Sequence, residues 1–317
     1  MENSLKIKML RDMIRIRVFE SDLYDIFRTG VIPGFIHLCL GQEAVAVGCC
    51  AALNKDDYIT STHRGHGHCI AKGVDTSEMM AELYGKATGT NKGKGGSMHI
   101  ASTELGILGA NGIVGAGIPL ATGAALSAKF FNNGRVAMAF FGDGASNQGT
   151  FHEAINIAAA HDLPAIYVCE FNGYGLSTDY ERISRTRYVS ERAGAYRIPG
   201  ITVDGNDVVA VYEAAKEAVE RARRGEGPTL LECRTYRWDA HNIGGLDKRP
   251  KEEIEAWKAK EPIKPYAERL IAEGVIDQAG VDQIWAEARE EMAKANQFGA
   301  DSPYPDVETA LQHVYTE

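Results

Sequence analysis

One carboxylate and one amide stand at the ends of two apolar runs, each beside glycine. Val136-Ala137-Met138-Ala139-Phe140-Phe141 leads into Gly142-Asp143-Gly144-Ala145. Ala165-Ile166-Tyr167-Val168-Cys169 leads to Asn172-Gly173-Tyr174, with Asn172 28 residues after Gly144. Glycines let the backbone approach a phosphate closely, and a helix start just beyond favours negative charge. One carboxylate and one amide oxygen suit Mg²⁺, which takes few protein ligands and completes its octahedron with phosphates and water. The plainer reading is an Asp at a helix N-cap and an Asn in a turn. The two turns together suggest a magnesium–diphosphate site.

A second dense cluster is His63-Arg64-Gly65-His66-Gly67-His68-Cys69. Its spacing fits zinc poorly, because no second Cys/His pair of standard separation follows. The guanidinium of Arg64 suits a bidentate grip on a diphosphate.

The elements that must carry these residues follow from periodicity. Residues 5–28 predict an amphipathic helix, with Met9, Met13, Ile16, Phe19, Leu23 and Phe27 at helical spacing. Gly30 and Pro33 stop it. Helices are expected at 42–53, 118–131, 148–161 and 207–223, and strands at 58–62, 136–141, 165–169, 201–203 and 229–234. Residues 86–110 are glycine-rich without a clear period and read as an ordered loop, a type usually functional at this length. Residues 177–197 are polar and arginine-rich. The alternation predicts an α/β fold, a parallel sheet with helices on both faces. A highly charged helical segment runs from 251 towards the C-terminus. We read 1–317 as a single domain: an N-terminal helix (1–35), an α/β core (36–250) and a helical C-terminal part (251–317).

Composition narrows the function classes. The chain has 317 residues, 44% of them apolar, and a net charge of −9 with no basic stripe, so nucleic acid is not an expected partner. No apolar run approaches membrane-spanning length, and the N-terminus lacks a signal-peptide core. Six cysteines without a CxxC pair argue for a reduced, cytoplasmic protein.

Several words taken together resemble a known family. They are His37-Leu38-Cys39-Leu40-Gly41-Gln42-Glu43-Ala44, His63-Arg64-Gly65-His66-Gly67, Lys94-Gly95-Gly96-Ser97-Met98-His99 and Gly109-Ala110-Asn111-Gly112-Ile113-Val114-Gly115. With Gly142-Asp143-Gly144 and Asn172, they resemble the α subunit of E1 components of thiamine-diphosphate-dependent 2-oxoacid dehydrogenases. The likeness runs from about Leu10 to the C-terminus, and within the family the wording is most similar to acetoin dehydrogenase α subunits. It implies the thiamine-diphosphate-binding fold, with thiamine diphosphate and Mg²⁺ as cofactors. It places Asp143, Asn172 and the carbonyl of Tyr174 on the metal, with Gly144 and Ala145 in the diphosphate turn. His63 and Arg64 would contact the phosphates. The backbone of Gly112 and Val114 would reach the aminopyrimidine, and Ile113 would wedge beneath the cofactor. His37 and His241 become the proton donors beside the reacting carbon, since imidazole titrates near neutrality. His66 would face the substrate channel.

The same resemblance implies partners. The glutamate that activates the cofactor belongs to the β subunit in two-chain E1 enzymes, so an α₂β₂ heterotetramer is expected. A lipoyl-bearing E2 would accept the acyl group taken from acetoin or a small 2-oxoacid such as pyruvate. The alternative is a carboligase or transketolase-like enzyme that passes its intermediate to an aldehyde or carrier protein. Intact Asp143, Asn172, His37 and His241 speak against a non-catalytic α chain. Three departures stand out. Phe171 replaces the first Asn of the family's Asn pair, and the loop around His241 is about two residues shorter and altered. Asn242 occupies the place of a serine phosphorylated in mammalian relatives, which excludes regulation by phosphorylation there.

Overall fold

A strand buried on both faces sends alternate side chains into two different cores, and the central strands here do so. The computed structural model describes residues 1–312. In chain order it contains α1 (Asn3–Arg28), α2 (Glu43–Ala51), β1 (Tyr58–Thr60), α3 (His66–Lys72), α4 (Thr76–Leu83), α5 (Gly117–Phe130) and β2 (Ala137–Gly142). Then come α6 (Gly149–Ala160), β3 (Ala165–Phe171) and a short antiparallel hairpin of β4 (Tyr174–Gly175) and β5 (Thr178–Asp179). After it follow β6 (Gly200–Asp204), α7 (Val208–Arg223), β7 (Thr229–Arg234), α8 (Lys251–Lys258), α9 (Ile263–Ala272) and α10 (Gln278–Asp301).

The five-stranded sheet runs β1-β2-β3-β7-β6, and every pair in it is parallel. Ala137, Ala139 and Phe141 of β2 with Ala165, Tyr167 and Cys169 of β3 join the core under α5 and α6. Met138, Phe140, Ile166 and Val168 join the opposite core, with the buried stripe of α1 and residues of α2, α7, α9 and α10. Strand order reverses between β3 and β6. Right-handed crossovers therefore put α6 and α7 on opposite faces. The expected α/β layering is the observed one.

Helices α3 and α4 are not anticipated by periodicity. They are short, and α3 begins inside the histidine cluster, where propensity is weak and packing decides. Residues 86–110 hold only two single 3₁₀ turns, Ser97–His99 and Thr103–Leu105. What orders this segment is Glu82, fully buried at the end of α4. Its Oε2 accepts from the N–H groups of Asn91 (2.7 Å) and Gly93 (2.8 Å), and its Oε1 from those of Gly95 (2.8 Å) and Gly96 (3.0 Å). No helix among the described residues is long and apolar enough to cross a membrane.

Candidate active site

Parallel strands point their carboxyl ends one way, so the turns after β1, β2, β3 and β7 converge. They wall a cavity of about 500 Å³, lined by residues 61–64 after β1, 142–145 after β2, Asn172 and Tyr174 after β3, and Arg237 and His241 after β7. Asp143 opens a 3₁₀ turn at the end of β2 and is 1% exposed. Its Oδ1 accepts the N–H of Gly144 at 2.9 Å, whereas Oδ2 is buried without a hydrogen-bond partner. Burial pushes this carboxyl up to about 6, against the lowering pull of backbone N–H groups and Arg237.

An orphaned buried oxygen is costly and calls for a partner that the polypeptide does not supply. Asn172 faces the same cavity. Its Oδ1 accepts the N–H of Tyr174 at 3.2 Å, and its Nδ2 donates to Oε1 of Gln42 at 3.0 Å. That leaves Oδ1 a second lone pair. A set of oxygen donors with one acidic member fits a hard dication such as Mg²⁺. Asp143 and Asn172, with the carbonyl of Tyr174 from the same turn, would hold it.

Three imidazoles meet on the other side. His37 comes from the loop before α2, His63 from the turn after β1 and His241 from the loop after β7; their ring centres lie 4.7–5.2 Å apart. Burial first, then the nearby Arg64, pulls His37 down to about 3 and His63 to about 2, and His241 falls to about 4 for the same reasons. The rings are therefore neutral around Arg64 and Arg237. Arg64 is itself buried; it donates to Leu38 O at 2.5 Å and to His241 O at 3.0 Å, which ties the two histidine loops together. It keeps further N–H donors for an anion in the cavity it lines. An anion there would draw the imidazole pKa values back towards neutrality.

Three expected site residues are absent from the lining: His37, whose ring meets those of His63 and His241, and two that lie elsewhere. His66 is fully buried behind the wall and does not face the cavity. Both its nitrogens are engaged, Nδ1 with Glu20 Oε1 at 2.6 Å and Nε2 with Ser97 Oγ at 2.8 Å, so a place on the substrate channel is corrected to a place in a buried relay. Gly112 is also absent from the lining and packs towards His99 and Met98, whereas Ile113 and Val114 do line the cavity.

The structure adds Gln42, Glu170 and Arg237 to the lining. Burial lowers Arg237 to about 9, with Arg64 and Arg249 adding to the effect. Glu170 Oε1 stands 3.2 Å from Nε2 of His68, whose Nδ1 meets Ser61 Oγ at 2.8 Å. The available signal was a charged residue closing an otherwise apolar strand, one residue before Phe171.

The loops holding His37 and His241 are joined by backbone bonds, Ile243 N–H to Ile36 O at 2.9 Å and Trp238 N–H to Leu40 O at 3.1 Å. Gly41 sits at that seam with φ +92°, and a Cβ there would come within 2.6 Å of Tyr236 O and strike the Trp238 indole. Gly41→Ala is expected to part the loops. We expect a stability loss of roughly 1–3 kcal/mol in urea unfolding, as for other overpacked positions; an unchanged midpoint would show that the seam tolerates a side chain.

The model of the dehydrogenase E1 component family matches residues 11–308. The α subunit of acetoin:2,6-dichlorophenolindophenol oxidoreductase from Bacillus subtilis is 52% identical over 97% of this chain and 92% of its own length. The subunit of the same name from Cupriavidus necator is 47% identical over 98% of this chain and 93% of its own. The pyruvate dehydrogenase E1 component α subunit of Rhizobium meliloti is 42% identical over 98% and 89%. Near-complete coverage at these identities, together with the strand-end cavity, places the chain in the dehydrogenase E1 component family.

Proposed function

We propose that the chain is the α subunit of a thiamine-diphosphate- and Mg²⁺-dependent E1 enzyme. It would act on acetoin or a small 2-oxoacid and pass the acyl group to a lipoyl-bearing E2. The observation that carries the reading is the partnerless Asp143 carboxylate oxygen in a cavity built from four parallel strand ends. The relatives' names favour acetoin or pyruvate as the donor. When bound, thiamine diphosphate supplies the electron sink for cleaving a bond beside a carbonyl. Asp143, Asn172 and Tyr174 would hold the metal, and Gly144, Ala145, His63 and Arg64 the diphosphate. His37 Nδ1 and His241 Nδ1, buried and without partners, are the nitrogens placed to hold or release a proton.

A partner subunit fits the surface. Leu120, Leu126 and Phe130 project from the outer face of α5, and Ile157 from α6 beside it, all about half exposed or more. Apolar residues gathered in this way mark an interface, and we assign it to a β subunit in an α₂β₂ assembly. The single-domain reading and a cytoplasmic location go with this assignment.

Ile113 is 72% exposed although it lines the cavity. Burying an isoleucine side chain is worth about 1.5–3 kcal/mol. Ile113→Ala should weaken cofactor binding by roughly tenfold or more and shift the unliganded chain by less than about 0.5 kcal/mol. Calorimetric titration with thiamine diphosphate, paired with urea unfolding, checks both parts.

The functional test is dye reduction by the chain co-expressed with its β partner, supplied with thiamine diphosphate and Mg²⁺. Acetoin, pyruvate and branched 2-oxoacids are offered in turn. Turnover on one identifies the donor. Silence on all, with cofactor still bound, would refute acetoin and the tested 2-oxoacids as donors and point to a different donor or a carboligase.

A further inference from the structure

We propose that His37, His63 and His241 form a three-imidazole site for a dication of the zinc class, separate from the oxygen site around Asp143. One nitrogen from each ring lies within 4.8 Å of the other two. The ring centres are 4.7, 4.9 and 5.2 Å apart, with the planes inclined by 70°, 80° and 49°, so the rings fan about a common point rather than stack. A zinc–nitrogen bond of about 2.0–2.1 Å in tetrahedral geometry puts imidazole centres roughly 5 Å apart. The centres already have that spacing, and turning the rings in place brings the nitrogens in.

Two further observations point to a ligand. Nδ1 of His37 and Nδ1 of His241 are buried and have no hydrogen-bond partner. His63 and His241 line the cavity, so a fourth coordination position opens into it. Three histidines with one open position are an arrangement that zinc accepts.

The metal class follows from the donors and their surroundings. Imidazole suits Zn²⁺, Cu²⁺ and Ni²⁺, whereas Mg²⁺ prefers oxygen. Arg64 and Arg237 face the same rings and oppose any cation; Glu20 and Glu170 offset Arg64. A strong metal–nitrogen bond survives that opposition and a weak one does not. On the functional reading given above, the captured metal occupies the imidazoles needed for proton handling and inhibits the enzyme.

The test is a Co²⁺ titration of the full chain purified with its partner subunit, followed by visible absorption. We expect the intense bands of tetrahedral cobalt, displaced by Zn²⁺ and untouched by excess Mg²⁺. His63→Tyr and, separately, His241→Gln should each weaken cobalt binding by at least about tenfold, since losing even an outer partner of a ligand costs that much. His161→Gln, an exposed histidine outside the cluster, should leave the bands as they are. Far-UV circular dichroism confirms that each variant is folded. Absent bands, bands that survive both cluster variants, or equal loss in His161→Gln would overturn the site. The spectrum does not depend on turnover, so a silent dye assay refutes the donors named above and leaves the metal site to be judged separately. In an active assembly, Zn²⁺ inhibition reversed by a chelator is expected, and full activity with the site filled would overturn the inhibitory role.

Discussion

Asp143→Asn is expected to cripple cofactor binding while making the unliganded chain more stable at neutral pH. The folded carboxyl titrates near 6 instead of its ordinary 3.8, and the cause is burial. A raised carboxyl means that the folded state holds its proton more tightly than the unfolded state. Stability from this group is therefore fully present below about pH 4 and declines as pH rises towards about 6, by roughly 3 kcal/mol in all. Asparagine cannot ionise and escapes that loss. Urea unfolding without metal should find the variant more stable than the parent by up to about 3 kcal/mol at pH 8, with the advantage shrinking towards pH 4. Binding moves the other way. Losing a charged metal ligand costs about 1.5–3 kcal/mol, or roughly ten- to a few hundred-fold in thiamine diphosphate affinity at fixed Mg²⁺. Equal affinity in the two proteins would remove Asp143 from the metal site. A parent as stable as the variant at pH 8 would remove the burial argument.

Glu82→Ala carries the largest expected cost to the fold. The carboxylate receives four backbone N–H groups from residues 91–96, and all four lose their acceptor at once. Each buried donor left without a partner costs about 1–3 kcal/mol, and relaxation of a glycine-rich loop recovers part of the total. We expect a net loss of at least about 4 kcal/mol in urea unfolding, with fast amide exchange confined at first to residues 89–99. Glu82→Gln retains one acceptor oxygen and should recover part of the loss. The loop continues into Ser97, which bonds His66 and through it Glu20; Glu20 Oε2 accepts the N–H of Cys39 at 2.7 Å in the loop that carries His37. Loop disorder should therefore reach the imidazole cluster as well. A variant of parental stability would show that water replaces the carboxylate and that the clamp is incidental.

Much of this site was legible from the residues alone. Asp143 and Asn172 each end a strand of the same βαβ unit, and the signals that reveal them are local: an apolar run, a glycine and a helix start within a few positions. The continuous apolar runs at 136–141 and 165–169 likewise suit strands of a parallel sheet covered on both faces. The resemblance words named His63, Arg64, Ile113, Val114 and His241, which the fold gathers around one cavity, and His37, whose ring meets two of them.

Only the tertiary structure decided which of those side chains meet. His66 lies three residues from His63 but turns into a buried relay, because Glu20 and Ser97 satisfy both its nitrogens. Gln42, Glu170 and Arg237 enter the cavity because separate strand ends and loops converge there. His37 and His241 are brought together by backbone bonds between their distant loops, and the Arg64 side chain, bonded to both loops, sets His63 beside them. Periodicity and spacing report what neighbours along the chain can do together. Contacts across the chain depend on burial and on which polar groups find partners, and those are properties of the packed fold.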